Sequence, residues 1–152
     1  MKKTLFALGI ILLCTLSLRA QNYKGAIGAG LELYGEDIFF EAAGKYFFAD
    51  HHAGQANIGF GYNATILTAL YSYHKQFFRP EGLQWYCGIG PSIILLEESD
   101  NIFALRPHIG LNYKIHKIPI VFNVDWRPSV VLSHVGSHEI LAFGFGLQFA
   151  IN

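Results

Sequence analysis

The chain has 152 residues, enough for one domain, with 11 basic and 11 acidic side chains. Charged residues make up only 14 % of it and hydrophobic ones 52 %. No excess of positive charge marks a nucleic-acid surface, and two cysteines allow at most one disulfide.

The start, MKKTLFALGIILLCTLSLRAQ, sets Lys2 and Lys3 before an apolar run from Leu5 to Leu18, and Arg19-Ala20-Gln21 follows. A basic start, a short apolar core and a small residue at its end make a secretory signal peptide. The core is too short and too early for a permanent transmembrane helix. Cleavage is expected after Ala20, so that 1–20 is signal and 21–152 a single barrel domain. Cys14 lacks the small preceding residue that a lipoprotein signal needs. Loss of Lys2, Lys3 and Arg19 lowers the basic count from 11 to 8 and leaves the mature chain at about −3. Only Cys87 then remains, so no internal disulfide is expected and no nucleic-acid partner either.

After the signal, no stretch has a helical period. Eight runs of alternating character follow, near 24–34, 38–48, 55–65, 67–77, 83–96, 103–115, 119–131 and 139–151. Each has about the 9–11 residues that a tilted strand needs to cross a bilayer. In the third, Ile58, Phe60 and Tyr62 alternate with Asn57, Gly59, Gly61 and Asn63. In the fifth, Leu83, Trp85 and Ile89 oppose Gln84, Tyr86, Gly88 and Gly90. In the sixth, Leu105, Ile109, Leu111, Tyr113 and Ile115 oppose Arg106, His108, Gly110, Asn112 and Lys114. The last sets Leu141, Phe143, Phe145, Leu147, Phe149 and Ile151 against Ala142, Gly144, Gly146, Gln148 and Ala150. Successive side chains on a strand point to opposite faces, so every strand has one apolar side and one small or polar side.

Two closed barrels fit this pattern. A periplasmic lipocalin-like binder would turn the apolar face inward, around a ligand. An outer-membrane barrel would turn it outward, into lipid. The polar face is rich in Gly and Asn and holds few charges, which suits a narrow interior better than a solvent-washed exterior. The fold class expected is therefore all-β: an eight-stranded antiparallel up-and-down transmembrane β-barrel. Tyr46, Phe47, Phe48, Phe77, Phe78, Tyr113 and Trp126, near strand ends, fit interfacial girdles. Ile120, Phe122, Val124 and Trp126 would face lipid. The same parity puts Glu32, Glu41, Lys45, His74, Arg106, His108, Lys114, Asp125 and Arg127 inside, as a paired structural network of both signs. Both termini would be periplasmic. The turns on that side are then ADHHAGQ, RPEG and HKIP. YGED, a tight turn near Thr65 to Leu67, EESDN and SHVGSHE lie outside.

EGLQWYCGIGPSI (81–93), GLNYKIHKIPIVFNVDWRPSV (110–130) and the closing FGFGLQFAIN resemble a family of small outer-membrane β-barrel proteins of Gram-negative bacteria. The shared pattern is a Gly-Leu-x-Trp-Tyr-x-Gly strand, a Gly-Leu-x-Tyr strand, a Pro-bearing turn and an Asp-Trp-x-Pro strand. The resemblance implies an eight-stranded outer-membrane barrel and carries no established activity and no catalytic residues. Such barrels usually end on an aromatic residue that the assembly machinery recognises. This chain ends on Asn152, with Phe149 its last aromatic.

Few residues suggest chemistry. His134 and His138 flank Val-Gly-Ser in the last outer loop, beside Ser133, Ser137 and Glu139. Metal spacing of this kind is informative on a helix, this segment reads as a loop, and no third ligand is evident. A polar surface loop outweighs a Ser/His site, for which His134 and Ser137 are the candidates. His51-His52, in a periplasmic turn, is weaker still. Pro91, Pro107 and Pro128 fall within strands five, six and seven, where a proline removes a ladder hydrogen bond. They suggest either bulges near the rim or a weakened wall that admits a lipid chain, similar to the proline-interrupted wall of the lipid A palmitoyltransferase barrel. No phosphate-cradling glycine loop, Cys-x-x-Cys pair or nucleophile elbow is present, and no cofactor or metal is expected. The function expected is a monomeric outer-membrane barrel with a filled polar interior and a structural or interaction role, its partners being outer-membrane lipids and the barrel-assembly machinery. A lipid-modifying enzyme acting at the outer rim is the alternative, besides the lipocalin-like binder.

Overall fold

The computed structural model describes residues 23–134 and 137–152. The expected signal peptide, its cleavage site and Cys14 lie outside them. The strands are β1 (Gly25–Tyr34), β2 (Asp37–Ala49), β3 (His52–Phe60), β4 (Ala64–Gln76), β5 (Leu83–Leu96), β6 (Ile102–Lys114), β7 (Ile120–Trp126), β8 (Val130–Val131) and β9 (Ala142–Ile151). β7 and β8 are two pieces of one stave, because both pair with β6 in a single register. Each stave pairs antiparallel with the next, and β1 pairs with β9 to close the sheet. The result is a closed eight-stranded antiparallel β-barrel.

Register fixes the barrel's width. From Gly25, cross-strand partners run through Tyr46, Gly54, Tyr71 and Ile89 to Pro107. Two residues further along β6, Ile109 leads through Trp126 and Phe143 to Leu33 on β1. The circuit therefore climbs roughly ten residues per turn, which for eight staves means strands tilted by about 40° and a lumen only side chains can fill. The described ends of the chain share one rim with three turns. The opposite rim carries four connections.

The eight runs read from the alternation match these staves, with local differences. The tight turn is Gly61–Asn63 rather than Thr65 to Leu67. Gly61 donates to the Ala64 carbonyl at 2.9 Å, and Thr65 and Leu67 already pair with Leu95 and Ile93. The turn before β3 is only Asp50-His51, since His52–Gln55 pair with β4. The last stave starts at Ala142; Glu139 makes an isolated bridge to Ser129.

Phe47 is a correction. It is buried in the lumen, not in a girdle, because it shares the inward parity of Lys45. Its ring packs edge-on against Tyr23 at 5.3 Å and His74 at 4.8 Å. With Ala26, Ala53, Val121 and Ala150 it seals the rim where the chain ends lie. Phe39, Ile66 and Ile94, packed against Tyr34, Ala64, Leu96 and Ile102, seal the other.

Candidate functional site: the buried polar lumen

Between the two apolar plugs the lumen is polar. Glu32, Glu41, Lys45, His74, Arg106, His108, Asp125 and Arg127 are all buried there. Lys114, at the end of β6, is only half-buried. Arg127, 1 % exposed, anchors the cluster. Its guanidinium forks onto Asp125, with Nε to Oδ1 at 2.5 Å and Nη2 to Oδ2 at 3.1 Å, while Nη1 donates to Glu41 Oε2 at 2.7 Å. Planar bidentate pairing of this kind is what a guanidinium supplies and an ammonium does not. Arg106 pairs with Glu32 through Nη2, which also donates to the Arg127 carbonyl at 3.1 Å.

Neutral side chains extend the network. Asn57 donates to Glu41 at 2.9 Å and Gln55 to Asn57 at 2.9 Å. Tyr86 donates its hydroxyl to Asp125 at 2.6 Å. Lys45 Nζ lies 5.0 Å above the same Tyr86 ring, so a cation faces a π-system whose hydroxyl is held by a carboxylate. His74 stacks on that ring at 4.9 Å, and His108 tilts against it at 5.7 Å. Three carboxylates (Glu32, Glu41, Asp125) thus balance Arg106, Arg127 and Lys45, the condition for tolerating charge in a dry interior.

Asn57, Asn112 and Gln148, which the alternation put on the polar face without a place in the network, are also buried, as are Gln55 and Ser72, which it did not name. Their inward parity was readable; their contacts depend on cross-strand register. Ser72 Oγ lies 2.9 Å from His108 Nε2. It is not a hydrolytic pair, because Ser72 is fully buried beneath two sealed rims.

The Ser/His candidates lie in the loop before β9. His134 and Ser137 are exposed, and no described hydrogen bond links them. His138 Nδ1 accepts from the Val131 amide at 3.0 Å, a loop-closing contact. Among the described residues no group of three His, Cys, Asp or Glu side chains converges as a metal site would require. At the opposite rim His52 is in β3, stacked with Phe48 and Tyr71 on the outer face; His51 tilts against Tyr73.

The outer wall is the chemical inverse of the lumen. Ile27, Phe40, Ile58, Leu67, Ile89, Ile109, Phe122, Phe145 and Phe149, spread over every stave, are exposed. Charged side chains that reach solvent sit in the turns or at strand ends, such as Glu36, Asp50, Arg79, Glu98 and Lys117. A lipocalin-like binder would require the opposite faces, so that alternative is overturned. At Pro107 and Pro128 the filled lumen leaves no room for a lipid chain to pass through the wall. The wall around Pro107 and Pro128 is backed by Arg106, His108, Arg127 and Ser129, none more than 4 % exposed.

No family model matches the chain, and no curated protein does. Solved structures do match. The chain is similar to the N-terminal β-barrel domain of Pseudomonas aeruginosa OprF, with a TM-score of 0.65 and 17 % identity over 84 % of this chain and 96 % of that one. It is also similar to the de novo designed TMB2.3 (TM-score 0.60, 12 % identity, 89 % and 99 % covered) and to Neisserial surface protein A (0.52, 11 %, 84 % and 95 %). The fold is that of outer-membrane β-barrels. At these identities the likeness concerns fold alone.

Proposed function

We propose that this protein is a small outer-membrane β-barrel of a Gram-negative envelope, monomeric, with both termini periplasmic after removal of the signal peptide. Its role is structural or interactive. The observation that carries this reading is the inversion of faces: an apolar wall around the whole circumference, charges at the rims, and a polar, charge-balanced lumen. In water, so much exposed apolar surface would drive aggregation; in lipid it is the favoured exterior. The unbroken closure of the sheet supports it too, because a spanning sheet must have no free edge. The lumen supports a filled barrel rather than a pore, since apolar clusters close both ends.

The test is folding of residues 21–152 in plain buffer and in detergent micelles, followed by circular dichroism and by gel mobility of boiled and unboiled samples. The expected outcome is heat-sensitive β-structure in detergent only. A stable monomeric β-fold in buffer would refute the membrane reading.

A further inference from the structure

Residues 106–108 and 127–129 lose their ladder pairing, although the register is the same on either side. Ile109 pairs with Trp126 below the lapse and Leu105 with Val130 above it. In an antiparallel pair, the positions that exchange both hydrogen bonds recur every second residue. Leu132 donates to the Phe103 carbonyl at 2.8 Å, so Leu132 and Phe103 hold such a position. Two steps of two residues, through Val130 and Leu105, lead to Pro128 and Pro107. Both residues of that bonding position are prolines, and neither has an N–H. Two ladder bonds are lost at one place. The two proline carbonyls face each other across the seam with no ladder N–H opposite.

The lapse between β4 and β5 around Pro91 is different. It contains one proline, and Ser92 closes its flank by donating to the Leu67 carbonyl at 3.1 Å and meeting Thr68 at 2.9 Å. Beside the Pro107–Pro128 seam Arg106 Nη2 donates to the Arg127 carbonyl rather than to a proline carbonyl. The residues flanking Pro107 add a second observation. Among the described residues Arg106 Nε and His108 Nδ1 have no hydrogen-bond partner, and both side chains are at least nine-tenths buried. Beside the two proline carbonyls, the residues of the lapse thus carry three buried side-chain atoms without a hydrogen-bond partner among the described residues: Arg106 Nε, His108 Nδ1 and Ser129 Oγ. A buried carbonyl without a donor is costly, above all at hydrocarbon depth.

We propose that the Pro107–Pro128 seam is a binding site for a hydroxyl group, which donates to a proline carbonyl and accepts from Arg106. Two sources have this chemistry: an ordered water molecule, or the hydroxyl of a hydroxylated lipid acyl chain that reaches the seam from outside. The site rests on the ladder geometry; the membrane reading enters only for the lipid source.

The test is infrared spectroscopy of the folded chain, 21–152, with carbon-13 at every proline carbonyl. The spectrum of the Pro107→Val/Pro128→Val variant, subtracted from that of the parent, isolates the two seam carbonyls. One sample uses an amine-oxide detergent, which has no hydroxyl; a second adds a phospholipid with 3-hydroxyacyl chains. A downshifted, hydrogen-bonded carbonyl band in both samples supports the site and assigns it to water. A downshift only with the hydroxyacyl lipid supports it and assigns it to lipid. Bands at the free-carbonyl frequency in both samples overturn the proposal. If the double variant does not fold, Pro107→Val alone serves: it removes one labelled carbonyl and its new N–H faces the Pro128 carbonyl, so free-carbonyl intensity lost from the parent spectrum marks an unfilled seam and overturns the proposal, whereas loss of a downshifted band alone supports it. Folding in detergent tests the membrane reading separately, so the two can fail independently.

Discussion

Replacing Arg127 with leucine tests the charge balance of the lumen directly. The guanidinium is the partner of Asp125 through two bonds and of Glu41 through a third. Removing it strands two carboxylates that are 4 % and 6 % exposed. Breaking a buried ion pair from one side costs about 3–5 kcal/mol, because the remaining charge is left without a partner. Arg127→Leu is therefore expected to lose at least ~3 kcal/mol. The balance of three carboxylates against two arginines and one lysine makes a sharper prediction. Arg127→Leu combined with Asp125→Asn leaves Glu32 and Glu41 against Arg106 and Lys45, again in balance. The carboxamide oxygen introduced by Asp125→Asn would still accept from Tyr86. The double variant should recover at least about 1.5 kcal/mol of the loss, a coupling within the range for groups in one network. The assay is urea unfolding in micelles, followed by Trp85 and Trp126 fluorescence and by gel mobility. A single variant within ~1 kcal/mol of the parent, or a double variant no more stable than the single, would refute the reasoning.

Gly144→Ala should destabilise by about 1–3 kcal/mol, since a methyl group there would overlap the Arg127 guanidinium, which is fixed by its carboxylates; the same urea series measures it. Phe47→Ala should cost about 3 kcal/mol or more by opening the plug against Tyr23 and His74, whereas the same change at exposed Tyr62 should stay within about 0.5 kcal/mol. In planar bilayers the folded protein should show no stable porin-scale conductance, because both lumen ends are closed by apolar clusters; large steady openings would contradict the filled lumen. His134→Ala and Ser137→Ala, separately and together, should leave the urea midpoint within about 0.5 kcal/mol of the parent and the lipid A profile of expressing cells unchanged, as expected for exposed loop residues; a changed profile would restore the enzyme reading.

The parity of side chains was legible because the period of a strand does not depend on its neighbours. Asn123, Asp125 and Arg127 could be set on one face, and Phe122, Val124 and Trp126 on the other, before any pairing was known. What parity could not supply was height in the barrel. Phe47 and Lys45 share a face, yet one belongs to an apolar plug and the other to the charged layer. Only the register around the circuit puts Phe47 level with Ala53 and Val121. Partners were illegible for the same reason. Glu41 and Arg127 are 86 residues apart in sequence, and nothing local couples them. The tight turn at Gly61–Asn63 was misplaced by a few residues because Asn63-Ala64-Thr65 continues the alternation that turn residues interrupt elsewhere.

The glycines of the inner face connect these points. A lumen this narrow cannot hold a long side chain from every stave at the same height. Gly144 stands opposite Asp125 in register, and its missing side chain is the space that the Arg127 guanidinium occupies. Gly146 stands opposite Asn123 and leaves room for its amide, and Gly110 does the same for the Tyr86 ring. Asp125, Asn123 and Tyr86 are thus each set against a residue with no side chain. A glycine-rich polar face is therefore the counterpart of the buried arginines rather than a separate feature of composition. The same reasoning explains why the cluster favours arginine. A guanidinium can span from the end of β7 to carboxylates on β2 and on its own stave at once, and Gly144 of β9 leaves the space it occupies.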